Sequence, residues 1–384
     1  MRRFPSLLLL ILLILPGACA RANEGKPMPD EFEPEAYWPT DGWRASTPEE
    51  QGMDSERLAD MLAMIAEAEF GIDSVLVIRN GYLVTDAFVH PFAPGTKHVI
   101  HSCTKSVVSA LIGIAIDKGD LAGTDQLITD ILPGRVIANS DTRKEAMTLE
   151  HVLTMSTGLE CRDSYLYRWR GMREMEGSDD WVQYVLDLPM VEPPGTQFEY
   201  CNGASFLLSA IVQEATGKIA LDYAEEHLFG PLGIEDVDWP ANPEGISIGW
   251  GGIRMRPHDM AKIGYLYLKK GQWDGRQIVP AGWVEASTTK HIDGTLQDGY
   301  GYQWWVAKNV YMALGYAGQY IIVAPDKNLV VVFTSDLQER DFYLPQELLD
   351  EYILPACRAN TSLPANPDGM ARLEALVHTL AEPR

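Results

Sequence analysis

His101-Ser102-Cys103-Thr104-Lys105 leads directly into Ser106-Val107-Val108-Ser109-Ala110-Leu111-Ile112-Gly113-Ile114-Ala115-Ile116, and the run closes at Lys118-Gly119. A long apolar stretch ended by Lys-Gly predicts a buried helix. On a helix, residues i and i+3 share a face, about 5–6 Å apart at Cβ. Ser102 and Lys105 are therefore expected to point into the same space. Ser102 falls in the first turn, where free N–H groups and the helix dipole favour negative charge. That setting suits a nucleophile whose attack creates an oxyanion.

Ser-x-x-Lys alone is a weak signal, and the chain holds rivals to it. Ser287-Thr288-Thr289-Lys290 repeats the spacing but leads into His291-Ile292-Asp293-Gly294, a polar loop with no helix to hold the pair. Gly245-Ile246-Ser247-Ile248-Gly249 matches the nucleophile elbow of α/β-hydrolases. That elbow needs a strand before it and a helix after it. Trp250-Gly251-Gly252 is poor helix material, and the parallel βαβ alternation is missing. His98 and His101 form His-x-x-His with no Glu between them, so no metal or other cofactor is predicted.

Working outward, Asp54 or Ser55 is placed to cap a helix carrying Leu58, Met61, Leu62 and Ile65 on one face. Ser74–Ile78 and Tyr82–Val89 read as strands joined by Asn80-Gly81, a pair suited to the positive φ of a type I′ turn. Residues 100–290 read mostly as helix with Gly/Pro breaks. Strands return at Gln303–Ala307, Gln319–Val323 and Leu329–Thr334, and a last helix is expected at Gln346–Ile353. The fold class is therefore α+β: an antiparallel sheet built from both chain ends and flanked by helices, with a mostly helical inserted subdomain.

The chain has 384 residues, 46% hydrophobic and 22% charged, enough for a sizeable core. Its net charge of −23 argues against binding nucleic acid, which needs Lys/Arg to neutralise phosphates, and against anionic membrane surfaces. No obligate protein partner is inferred. Arg2 and Arg3, the apolar run Leu7–Leu15 and the small residues through Ala20 read as a signal peptide over 1–20. Export to the periplasm or medium is the expectation, with Cys19 a candidate lipid-anchoring residue. Residues 21–46 read as a Pro- and acid-rich linker, 47–358 as one globular domain, and 359–384 as a loosely packed polar tail. After Cys19, four cysteines allow three pairings, and a chain this long does not need them. Cys103, beside Ser102, and Cys201 read as inert buried thiols or redox-sensitive neighbours.

Two later pieces decide among the serines. Phe198-Glu199-Tyr200-Cys201-Asn202-Gly203 supplies Tyr-x-Asn, and Gly315-Tyr316-Ala317-Gly318-Gln319 precedes a strand at Tyr320–Val323. In order and spacing with Ser102 and Lys105, the chain resembles the serine β-lactamase and penicillin-binding-protein superfamily. Within it, the chain is most similar to the class C-like branch of carboxylesterases and 6-aminohexanoate-dimer hydrolases. The likeness runs from about Thr47 to Ile353 and includes Thr148–Leu159, Gly251–Trp273 and Tyr300–Trp305.

The resemblance implies an acylated Ser102, Lys105 as general base, Tyr200 sharing the proton, and Asn202 bonded to the lysine and substrate. It implies that Gln319, after Gly318, gives a backbone N–H to the oxyanion hole together with Ser102. Tyr316 stands where penicillin-recognising members carry the lysine of Lys-Thr-Gly. Losing that charge disfavours β-lactams and peptide carboxylates and leaves small esters and amides. The alternatives are a β-lactamase or DD-peptidase, or a non-catalytic sensor module. Tyr165, Tyr167, Trp169 and Trp181, among Arg162, Arg168, Arg170 and Arg173, read as a solvated flap or as a lid whose arginines attract a carboxylate.

Overall fold

The computed structural model describes residues 37–68, 70–163 and 168–383. Residues 1–20, read as a signal peptide, with Cys19, and the first part of the expected linker lie outside them, as do Tyr165 and Tyr167.

Among the described residues the main sheet is antiparallel and has seven strands. In chain order they are β1 (Ile72–Arg79), β2 (Tyr82–Phe88), β3 (Gly299–Tyr300), β4 (Trp305–Ala307), β5 (Val310–Gly315), β6 (Gln319–Ala324) and β7 (Leu329–Ser335). Their spatial order is β2-β1-β7-β6-β5-β4-β3. The two chain ends thus meet at the β1–β7 pair, with Val75 opposite Phe333 and Val77 opposite Val331. β1, β6 and β7 are buried along their whole length, because helices cover both faces. Their Val/Ile-rich runs follow from that double burial. At the β1–β2 hairpin Asn80 has φ 53° and Gly81 φ 85°, as the Asn-Gly signal required.

The helices that matter for the site are α1 (Ser55–Ala68), α2 (Cys103–Lys118), α3 (Arg170–Glu176), α4 (Trp181–Asp187), α5 (Asn202–Thr216), α6 (Pro257–Leu268) and α7 (Pro367–Ala381). Asp54 caps α1, its Oδ1 accepting from the Glu56 N–H at 3.1 Å. α2 is buried from Cys103 to Ala115 and stops at Gly119, φ 82°. It packs against α5 and the β5–β6 part of the sheet. This is the expected α+β arrangement, with the helical middle of the chain laid beside the sheet.

Within the described residues, both the 37–46 stretch and the segment beyond 359 are packed more closely than composition suggested. The linker is packed from Tyr37 on: Trp38 lies against Tyr265 and Trp273, and Thr40 Oγ1 accepts from Trp273 Nε1 at 2.8 Å. Beyond residue 359 the expected loose tail is instead the helix α7. It buries Leu373 and Leu380 and packs on α1 and β2. Asn366 caps it, accepting from the Gly369 N–H. Its polar residues occupy the outer face, so average polarity concealed a narrow apolar stripe.

Candidate active site

Ile100 bonds through its N–H to Ile253 O, and the next residue, His101, turns into left-handed backbone with φ 48°. Non-glycine residues rarely hold that conformation without a surrounding structure that enforces it. Ser102 follows at the helix boundary, just ahead of the first α-helical residue, Cys103. The Lys105 N–H donates to Ser102 O at 3.0 Å, so the turn continues through the serine.

The predicted pair is joined. Lys105 Nζ lies 3.1 Å from Ser102 Oγ, 2.8 Å from Asn202 Oδ1 and 2.8 Å from the Trp250 carbonyl oxygen. Lys105 is 1% exposed. Burial pulls its pKa from 10.5 down to about 7, against the opposing pull of the Asp163 charge and the Cys103 thiol. A neutral amine has two N–H donors and one lone pair. Asn202 Oδ1 and the Trp250 carbonyl can only accept, so they take the two donors. The lone pair is left for the Ser102 hydroxyl proton.

Tyr200 completes the group. Its ring centroid is 4.9 Å from Lys105 Nζ, and it stacks on Trp305 at 6.1 Å and 16°. Desolvation drives the phenol well above its ordinary pKa, opposed by a hydrogen bond with Ser102. Burial therefore favours the protonated hydroxyl of Tyr200 at neutral pH.

A cleft of about 410 Å³ opens in front of these groups. Ser102, Tyr200 and Tyr316 line it, with Trp169, Trp305 and Phe342 among the apolar wall. Tyr316 is 53% exposed at the mouth and meets the His101 ring edge-on at 5.6 Å. Gly318 and Gln319 are not part of this wall. Gly318 sits in the β5–β6 turn, φ 88°, against Leu337. Gln319 is 3% exposed, pairs with Gly315 across the hairpin, and bonds through its side chain to the Ser335 backbone. Tyr316 is the residue of the β5–β6 turn whose side chain stands at the cleft mouth, while the Gln319 backbone lies beside the start of α2, its carbonyl oxygen 3.5 Å from Cys103 Sγ. Among the described residues, the Ser102 backbone N–H has no acceptor.

The rival serines are structural. Ser247 Oγ accepts from the Leu221 N–H. Ser287 is buried and donates to Val284 O, while Lys290 turns outward to Asp293. His98 faces Asp73 at 3.4 Å, away from His101. Cys103 is a buried free thiol. Cys201 is not: it is bonded to Cys161.

The flap divides in two. Trp169 lines the cleft, whereas Trp181 is core, packed on Phe206 and Trp250. Arg162 pairs with Glu160, and Arg170 with Glu174. Among its described lining residues the cleft has no Arg and no Lys; its charges are Asp163 and Glu339.

Asp163 and Trp250 were not legible in the sequence. Asp163 is 1% exposed and accepts from the Asn202 N–H at 2.8 Å and the Met172 N–H at 2.6 Å. Trp250 acts through a backbone carbonyl, which any residue type carries.

A hydroxyl, an amine and a phenol gathered at the head of a buried helix, open to a cleft, define the chemistry of a serine hydrolase. The Beta-lactamase family model matches residues 63–351, and the chain belongs to that family. It is 24% identical over 322 residues to the 6-aminohexanoate-dimer hydrolase of Paenarthrobacter ureafaciens, covering 77% of this chain and 81% of that one. Among solved structures, a Bacillus anthracis protein assigned as a 6-aminohexanoate-dimer hydrolase superposes with TM-score 0.66 at 18% identity, covering 86% of this chain and 89% of that one. The octameric penicillin-binding protein homologue of Pyrococcus abyssi gives 0.61 at 20% identity, covering 81% and 80%. These two likenesses show the fold.

Proposed function

We propose that this chain cleaves a small amide or ester through an acyl-Ser102 intermediate, in the manner of a 6-aminohexanoate-dimer hydrolase or a related esterase, after export. The observation that carries the reading is the buried amine of Lys105, placed 3.1 Å from the Ser102 hydroxyl and held by two acceptors, Asn202 Oδ1 and the Trp250 carbonyl oxygen.

Ser102 attacks the carbonyl while Lys105 takes its proton. The proton passes to the leaving amine or alcohol, with the Tyr200 hydroxyl bridging the gap. A water then loses its proton to the same base and cleaves the acyl-enzyme. The Ser102 and Gln319 backbone N–H groups serve as the oxyanion donors, each worth about 2.7–4 kcal/mol to the tetrahedral states. Among the described lining residues no cation is placed to match a substrate carboxylate, so the reading favours uncharged substrates over β-lactams and D-alanyl peptides. The Cys161–Cys201 disulfide supports export, because such bonds persist in oxidising compartments.

The test is covalent trapping. The purified protein is incubated with a fluorophosphonate or a p-nitrophenyl acyl ester, and the adduct is mapped by mass spectrometry. The expected adduct is on Ser102, absent in Ser102→Ala. An adduct on Ser247, or turnover that survives Ser102→Ala, would sink the reading.

A further inference from the structure

The segment carrying Asp163 is tied twice to the start of α5. Cys161 is disulfide-bonded to Cys201, the residue between Tyr200 and Asn202. Two residues further on, Asp163 Oδ2 accepts from the Asn202 N–H, and its Oδ1 from the Met172 N–H. Cys161, Cys201, Asp163 and Asn202 are all buried. The seat is tight. A Cβ on Gly171, in the first turn of α3, would lie 1.7 Å from the Cys161 carbonyl oxygen and 3.0 Å from Asp163 Oδ1.

Each tie answers a local need. Residues 198–201 are irregular backbone, so no helix or strand ladder fixes Tyr200. Asn202 is the first residue of α5, and its N–H has no partner within the helix. Only a carboxylate offers an acceptor oxygen to both N–H groups at this point; an Asn side chain would aim its own N–H₂ at one of them.

We propose that the Cys161–Cys201 disulfide and the Asp163 carboxylate are positioning groups that hold Tyr200 and Asn202 against Lys105, and that the site reaches full activity only in the oxidised protein. This rests on the acyl-Ser102 reading. Reduction by a dithiol adds two electrons and two protons across the S–S bond. It leaves two thiols and converts the dithiol to its own disulfide. One tie is then gone and the other remains, so the site loosens without losing its fold.

Asp163 also sets the charge around the base. The titratable groups facing Lys105 are His101 and Cys103 from its own segment, Tyr200 from the start of α5, and Asp163. Asn202 and the Trp250 carbonyl are neutral. Asp163 is the acid whose charge favours protonated Lys105. Its loss moves the acid limb of the pH–rate profile to lower pH, which a purely structural role would not do.

Three proteins decide the matter: wild type, Cys161→Ser/Cys201→Ser and Asp163→Asn, each checked for folding by circular dichroism and assayed with a p-nitrophenyl ester. The serine pair is expected to lose about 10- to 100-fold in kcat with KM little changed, the scale of a small misplacement in a reacting pair. Asp163→Asn is expected to lose a similar factor and to show the lowered acid limb. Wild type treated with dithiothreitol is expected to lose activity in step with alkylation of Cys161 and Cys201, followed by mass spectrometry. A folded serine pair with kcat within about twofold of wild type overturns the proposal. So does full activity in wild type alkylated at both cysteines. If the serine pair does not fold, Asp163→Asn and the reductant titration give the answer. A wild type that forms no Ser102 adduct overturns the functional reading, and this one with it.

Discussion

At Lys105 the same burial acts on chemistry and on stability. With a pKa of about 7, the amine is half neutral near pH 7, so the acylation rate is expected to rise with pH through an acid limb centred there. A pH–rate profile of kcat/KM checks this. Lys105→Met is expected to lose about 10³-fold or more in kcat. It is also expected to melt several degrees higher than wild type below pH 7, because a buried charge is replaced by an apolar chain of similar volume. In the unfolded chain the lysine stays protonated up to about pH 10.4. Folding therefore releases a proton between pH 7 and that value, wild type gains stability as pH rises, and the gap narrows. Calorimetry at pH 6 and pH 9 measures it. Ser102, Lys105, Tyr200 and Asn202 were readable because their spacing is short and their residue types are specific to the chemistry. Asp163 was not, since a loop carboxylate bonding backbone N–H groups leaves no pattern.

At the scale of elements, sequence patterning served best where one residue pair dictates a conformation. Asn80-Gly81 fixed the β1–β2 hairpin. β5 was missed, although Val310–Gly315 is buried from Tyr311 on; its Met-Ala-Leu-Gly stretch lacks β-branched residues, and only its neighbours β4 and β6 make it a strand. α7 was missed for the opposite reason, a strong polar face over two deeply buried leucines. Deleting residues 359–384 is expected to cost on the order of 3–6 kcal/mol, the worth of burying two leucines. A denaturant melt of the truncated chain tests this. The Cys161–Cys201 bond closes a loop with sequence separation 40, which corresponds to about 4 kcal/mol of unfolded-state entropy. Its loss is expected to lower Tm as well as rate.

For the whole molecule, the net charge of −23 and the wall acids Asp163 and Glu339 put a negative field at a cleft with an aromatic mouth. Esters of matched size are expected to rank neutral above carboxylate-bearing in kcat/KM, by about tenfold at low ionic strength, with the gap shrinking as salt is added. Tyr316→Lys is expected to narrow it too. Equal rates at low salt would refute the electrostatic account.

The β1–β7 pairing has a consequence for biosynthesis. A ribosome delivers β1 some 250 residues before the strand that flanks it, a separation set by Val77 and Val331. Until then its inner edge has no partner and its valines have no cover. Any product cut short ahead of Leu329 keeps that open edge, so quality-control proteases and holding chaperones meet an unfinished chain rather than a smaller version of the enzyme.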